Sequence, residues 1–183
     1  MRIRTLCTLA AAAIAVFGST TGVLAEEVSI ATFFGEYEGQ SITSTDEGLS
    51  VRDLSVVIKE RKDGFNLEWT TITVNVDGKN KRKSYDIDFR STPRDDIYAS
   101  EMRRDKFGGQ VPLNPLKGDP YVWARQEGGT LTVYAMVITE DGSYEMQQYD
   151  RKLTEDGLDL AFSRIRDGEQ LKVIKGTLKR VVD

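Results

Sequence analysis

Histidine is absent from this 183-residue sequence, and its absence removes several classes of chemistry. Ser-His-Asp and Cys-His catalysis, His-ligated haem and ordinary zinc sites all need an imidazole. Cysteine occurs once, at Cys7. Carboxylate, tyrosine, lysine and arginine side chains remain for acid–base work, but no catalytic motif stands out among them. The sequence therefore predicts no catalytic residues, no metal site and no cofactor, and indicates a protein that is not an enzyme.

Apolar runs are short as well. The longest, residues 9–17 (LAAAAIAVF), is too short to span a bilayer as a helix. Two arginines precede it and small residues follow it up to Ala25, which is typical of a cleavable secretory signal peptide. We predict a signal peptide over residues 1–25 and one exported domain, periplasmic or secreted, over residues 26–183. A retained N-terminal anchor is the alternative.

Positive charge is in deficit in the predicted domain. Residues 26–183 carry 23 basic and 29 acidic groups, a net charge of −6. Nucleic-acid binding needs clustered positive charge, so we predict no nucleic-acid partner. The sequence gives no sign of a transmembrane segment after residue 25, and a protein partner stays unknown. Cys7 would be lost with the signal peptide, which leaves no disulfide in the exported chain.

Proline is scarce and confined to one window. All four prolines lie between Pro93 and Pro120, and most of the remaining chain alternates apolar and polar residues with the period of two that indicates strands. Turn sequences such as Glu-Asp-Gly and Lys-Asp-Gly separate the runs. We predict about nine strands, the last four forming a meander: 28–37, 51–60, 65–76, 84–90, 121–125, 130–139, 143–153, 158–166 and 171–181.

The proline window breaks the alternation. Residues 94–106 show no period of two, Thr92 precedes Pro93 as at a helix start, and Gly108 and Gly109 suit a helix end. We predict one short amphipathic helix over residues 94–106, followed by an irregular loop.

A sheet of this many strands must protect its edges. Closure into an antiparallel up-and-down barrel of about eight or nine strands removes both edges. A two-sheet sandwich is the alternative, but it usually needs crossing connections, and only the proline window is long enough for one. We therefore predict an all-β, up-and-down barrel. Such a barrel has room for one small ligand.

Two short segments resemble the lipocalins, or more broadly the calycin barrels. Phe34-Gly35-Glu36-Tyr37 lies where lipocalins carry Gly-x-Trp at the entry of the first strand, with Tyr37 in place of tryptophan. Gly176-Thr177-Leu178-Lys179-Arg180 lies at the end of the chain, where these barrels place a basic residue over that aromatic ring. The resemblance implies a cup for a small, often apolar molecule.

Candidate ligand-binding residues follow from strand spacing. Arg164 and Arg166 point to one face of a strand and could clamp a ligand carboxylate, or they could be a solvated strand end. The aromatic candidates could stack on a ligand or belong to an ordinary core. The basic run at residues 79–83 is interpreted as a solvated turn. The full set of predicted ligand-binding residues is Trp69, Tyr134, Tyr149, Arg151, Arg164 and Arg166.

The inward face remains open at this point, since both faces of the strand at Thr130–Ile138 are apolar. The leading hypothesis is non-enzymatic binding of a small, largely apolar molecule, with apolar walls for affinity and Arg164 or Arg166 to orient its polar or carboxylate head. The alternative is an envelope protein–protein interaction module whose barrel is filled by side chains. An enzyme that uses tyrosine or carboxylate groups is a third hypothesis.

Overall fold

The computed structural model describes residues 28–45, 48–74, 80–100, 103–104, 110–111 and 113–182. The predicted signal peptide, with Cys7, lies outside these ranges. Within them, no helix has the length and apolar character that crossing a bilayer would need. The described ranges contain two short 3₁₀-helices, at Ile30–Phe33 and Pro115–Lys117, and twelve strands.

The strands are numbered in chain order. Their bounds are β1 Gly35–Thr45, β2 Gly48–Arg61, β3 Gly64–Val74, β4 Asn80–Ser91, β5 Ile97–Ser100, β6 Arg103–Arg104, β7 Gln110–Val111, β8 Tyr121–Glu127, β9 Thr130–Ile138, β10 Tyr144–Leu153, β11 Gly157–Arg166 and β12 Glu169–Arg180.

Ten of these strands close into an antiparallel barrel. Their order around it is β1, β12, β11, β10, β9, β8, β5, β4, β3 and β2, and β6 and β7 form a separate two-stranded sheet. Closure comes from pairing of the first and last strands, with Gly39 opposite Leu178 and Gln40 opposite Thr177. The predicted all-β, up-and-down barrel is confirmed, but with ten strands rather than eight or nine.

The predicted helix over residues 94–106 is wrong within the described part of that segment. Ile97–Ser100 is a strand that bridges β4 and β8, and Arg103–Arg104 is a strand too. The Thr92 hydroxyl accepts a hydrogen bond from the Arg94 amide and donates one to the Ile97 carbonyl, which makes a tight turn instead of a helix start. Burial of Tyr98 against Phe65, with ring centroids 5.0 Å apart, then favours the strand.

The first predicted strand, 28–37, begins later than expected, because Ile30–Phe33 is a 3₁₀-helix. This segment lies against one end of the barrel. Phe33 and Tyr37 are fully buried, and the Tyr37 hydroxyl donates a hydrogen bond to the Phe33 carbonyl at 2.9 Å. Gln126 donates its side-chain amide to the Val28 carbonyl. We call this the closed end of the barrel.

Arg180 contacts the N-terminal segment at the closed end of the barrel. Its guanidinium lies 4.8 Å from the centroid of the Tyr37 ring and donates hydrogen bonds to the carbonyls of Phe34 and Thr32, at 2.6 and 3.0 Å. The expected contact between a basic residue near the chain end and the aromatic residue of the first strand is therefore present.

The apolar core fills the closed half of the interior. Cross-strand pairs set its rows: Leu67 lies opposite Ile58 and Ile87, and Leu158 lies opposite Leu178. Phe65 stacks on Phe89 at 5.0 Å. Burying these side chains contributes about 1.5–3 kcal/mol each. The other half of the interior is not filled in this way.

Candidate ligand-binding cavity

The other half of the barrel holds a cavity of about 580 Å³, within the size range of small-molecule sites. Register decides which side chains face it. On β10, Glu145, Gln147, Tyr149 and Arg151 lie opposite Val137, Ala135, Val133 and Leu131 of β9. Since Leu131 and Val133 are buried core residues, the odd-numbered side chains of β10 point inward. This settles the inward face that the sequence left open.

Aromatic and cationic groups form the floor of the cavity. Trp69 on β3 lies 5.5 Å from Tyr149 on β10 and 4.7 Å from Tyr85 on β4, between ring centroids. Tyr149 lies 4.8 Å from Phe162. Because β3 and β10 are far apart in the strand order, the contact between Trp69 and Tyr149 bridges the interior of the barrel.

Arg151 is the most unusual residue of the floor. It is only 2 % exposed, and its guanidinium lies 5.0 Å from the centroid of the Trp69 ring, a cation–π contact. One of its terminal nitrogens donates to the Tyr149 carbonyl at 3.4 Å, while its Nε has no hydrogen-bond partner. Burial lowers the pKa of Arg151 to about 10, so the group stays charged at neutral pH.

Arg151 forms no ion pair in the described part of the chain, where no carboxylate lies within 4.0 Å of its guanidinium. The neighbouring Asp150 lies on the opposite face of β10 and accepts hydrogen bonds from Thr132 and Gln148, and its charge offsets only part of the effect of burial on the pKa of Arg151. A buried, unpaired cation lowers the stability of a folded protein. A residue that destabilises the fold in this way indicates a functional role, such as ligand binding.

Tyr149 cannot act as a general base in this cavity at neutral pH. Burial raises the pKa of Tyr149 to about 12, and its hydroxyl donates a hydrogen bond to Gln147 Oε1 at 2.8 Å. It is therefore a protonated donor and an aromatic wall at neutral pH.

Glu145 is the one acidic side chain on the inner face of β10 that borders the cavity. Its carboxylate accepts hydrogen bonds from Arg164 at 2.5 Å and from Gln147 at 2.8 Å. The hydrogen bond from Arg164 holds the pKa of Glu145 below its usual value even though burial opposes this. Glu145 is thus an ionised partner of Arg164 and is not poised for acid–base catalysis.

Cations outnumber carboxylates among the described residues that border the cavity. Two of these residues are acidic, Glu145 and Asp150, and six are basic, Arg52, Lys81, Lys83, Arg151, Arg164 and Lys172. Only one of the six, Arg164, pairs with a lining carboxylate. The cavity is thus strongly positive, although the chain as a whole is acidic. The described residues contain no group of three or more acidic, histidine or cysteine side chains that could hold a metal ion.

Four of the six sequence-predicted site residues border this cavity: Trp69, Tyr149, Arg151 and Arg164. Arg166 lies on the same inward face but is not among the residues that border the cavity, and it forms an ion pair with Asp141 at 2.6 Å. Tyr134 lies on the outer face of the barrel, where it stacks on Trp123 at 4.9 Å. Whether the four lining residues bind a ligand stays a prediction.

Sequence reasoning missed Arg52, Lys83 and Lys172. The signal was present: Arg52 shares its strand face with Leu54, Val56 and Ile58, and Lys83 shares its face with Tyr85 and Ile87. The apolar face of several strands ends in a cation. The described part of the basic run, residues 80–83, is therefore more than a solvated turn, since Lys81 and Lys83 border the cavity; Lys79 lies outside the described residues.

No protein-family model matches the chain, and no curated protein matches it at a significant level. The fold itself, a closed antiparallel up-and-down barrel, is compatible with a calycin-type barrel.

Proposed function

We propose that the protein binds a small organic anion with a largely apolar body in the barrel cavity, and that it does so without converting the ligand chemically. The observation that carries this proposal is Arg151, a buried guanidinium without a carboxylate partner at the floor of an aromatic cavity. A ligand carboxylate would supply the missing counter-ion and would accept a charge-assisted hydrogen bond.

The walls favour an apolar body. Trp69, Phe162, Leu54, Leu160 and Ile174 all border the cavity and would be covered by a ligand's hydrocarbon or ring. The presence of a cavity of this size also favours a binding protein over an interaction module with a filled barrel. With the predicted signal peptide, we propose that this binding takes place in the periplasm or outside the cell.

The test uses dodecanoate and a naphthalene carboxylate as probes, measured by thermal shift and by isothermal titration calorimetry. We expect both probes to raise the melting temperature, because a ligand that binds only the folded state stabilises it. Dodecanol, which has the same chain without the charge, should bind much more weakly. Native mass spectrometry of protein isolated from its own host should show a co-purifying small acid.

The variant Arg151→Met should lower the affinity for both probes about 10- to 100-fold, since a hydrogen bond to a charged group contributes about 1.5–3 kcal/mol. Arg125→Met is the matched control, because Arg125 lies on the outer face and pairs with Glu127. Absence of binding by both acids, together with no co-purifying ligand, would overturn the proposal.

A further inference from the structure

A second buried cation lies toward the open end of the cavity. Arg52 on β2 is only 9 % exposed. Its guanidinium donates to the Thr43 hydroxyl at 3.2 Å, and among the described residues no carboxylate lies within 4.0 Å of it. Arg52 is thus, like Arg151, a buried arginine without a carboxylate partner, but it lies at a different level of the barrel.

Other cations gather around Arg52. Lys172 on β12 lies opposite Arg164 on β11, and Lys81 and Arg52 both lie opposite Thr73 of β3. Burial lowers the pKa of Lys172, and the charges of Arg52, Lys83 and Arg164 lower it further, so Lys172 is close enough to these three cations to be repelled by them. We call Arg52, Lys83 and Lys172 the rim cluster.

The rim cluster and Arg151 are separated along the barrel. Arg151 contacts Trp69, whose cross-strand partner on β2 is Val56. Arg52 is four residues away from Val56 on the same strand face, which is about 13 Å at the rise of a β-strand. Leu54 on β2 and Ile174 on β12 border the space between the two levels. The cavity therefore has a cationic group at each end and apolar side chains between them.

We propose that the ligand is an elongated dianion, with one acidic group on Arg151, a second on the rim cluster and an apolar body between them. This inference rests on the proposed binding function and specifies the chemical class of its ligand. A ligand with one acidic group would neutralise Arg151 but would leave Arg52 buried without a counter-ion. A second anion neutralises Arg52 and reduces the repulsion within the cluster.

The experiment compares dodecanoate with dodecanedioate, which differ only in the second carboxylate and whose extended chain can reach between the two levels. We expect dodecanedioate to bind about ten-fold more tightly or better, because a partly desolvated charge pair contributes more than an exposed one. The preference should persist at physiological salt, since buried pairs are screened less than surface pairs.

Variants then locate the second acidic group. Arg52→Gln and Lys172→Gln should each remove most of the preference for dodecanedioate while leaving the affinity for dodecanoate within about two-fold. Lys172 is exposed, so its variant should fold even where Arg52→Gln does not. Arg125→Gln and Lys152→Gln are the controls, because both residues are exposed and lie on the outer face. The controls should keep the full preference.

The failures of the two proposals are distinguishable. Equal affinities for the two probes, or a preference that survives both Arg52→Gln and Lys172→Gln, would overturn the dianion inference and leave the proposed binding function standing. If neither probe nor the naphthalene carboxylate binds, both proposals are wrong.

Discussion

Replacing Arg151 by methionine should make the ligand-free protein more stable, although most core substitutions destabilise a protein. Burial lowers the pKa of Arg151 to about 10, well below the ordinary value for arginine. At about 1.4 kcal/mol for each pH unit between the ordinary value and this one, burial disfavours the charged guanidinium by about 3 kcal/mol. The cation–π contact with Trp69 offsets about 0.5–2 kcal/mol of this.

Methionine keeps much of the length of the side chain and carries no charge. We therefore expect Arg151→Met to raise the free energy of unfolding by about 1–2.5 kcal/mol and the melting temperature by about 2–10 °C for a chain of this size. The measurement is denaturant and thermal unfolding of the ligand-free protein, followed by circular dichroism. Arg125→Met, the same substitution on the outer face, should change the free energy by no more than about 0.5 kcal/mol.

The pH dependence gives a second check. A base whose pKa is lower in the folded state destabilises the fold while it is charged in both states, and the penalty fades only as the pH rises through about 10 toward the ordinary pKa of arginine. The increase in the free energy of unfolding caused by Arg151→Met should therefore be constant around neutral pH. A loss of more than about 1 kcal/mol would refute the reasoning, because Arg151 would then be a structural residue and not a binding residue.

Three further substitutions test the barrel and its charges. Gly39→Ala should destabilise the protein by about 1–3 kcal/mol or prevent folding, because a Cβ at Gly39 would lie 2.1 Å from the Thr177 carbonyl oxygen where β1 and β12 close the barrel; unchanged denaturant unfolding would contradict that pairing. Arg180→Met should cost about 1–3 kcal/mol through its lost hydrogen bonds to two carbonyls, seen as a lower melting temperature. Lys179→Met, at an exposed neighbour, should have little effect. Glu145→Gln should lower the free energy of unfolding by about 1 kcal/mol at neutral pH. The expected loss is small because Arg164 is 43 % exposed, so solvent screens its ion pair with Glu145. The pKa of Glu145 is lower in the folded state than its ordinary value of 4.5. The ionised carboxylate therefore stabilises the fold above about pH 4.5, and this stabilisation is lost as the pH falls through the lower pKa of the folded state. The difference between wild type and Glu145→Gln should therefore shrink in acid, and a difference independent of pH would argue against the pairing with Arg164.

The positions of most strands were predictable from the sequence because alternation and Asp-Gly turns are local signals. The closing meander illustrates this: strands predicted at 130–139, 143–153, 158–166 and 171–181 lie within two residues of β9 to β12. The prediction of a helix after Pro93 failed because the strand Ile97–Ser100 is too short to show an alternation of apolar and polar residues. Its strand state comes from pairing with β4 and β8 and from burial of Tyr98, contacts that are distant in the sequence.

The sequence by itself determined that the chain forms hairpins, that it is acidic, and that aromatic and arginine residues lie at strand spacing. Only the tertiary structure decided which of them meet. A period of two shows that a strand has two faces but does not say which face is inside when both are apolar, as at Thr130–Ile138. Closure of the barrel fixed that choice: it placed Tyr134 outside and Tyr149 inside, and brought Arg52, Arg151 and Lys172 from three different strands around one cavity.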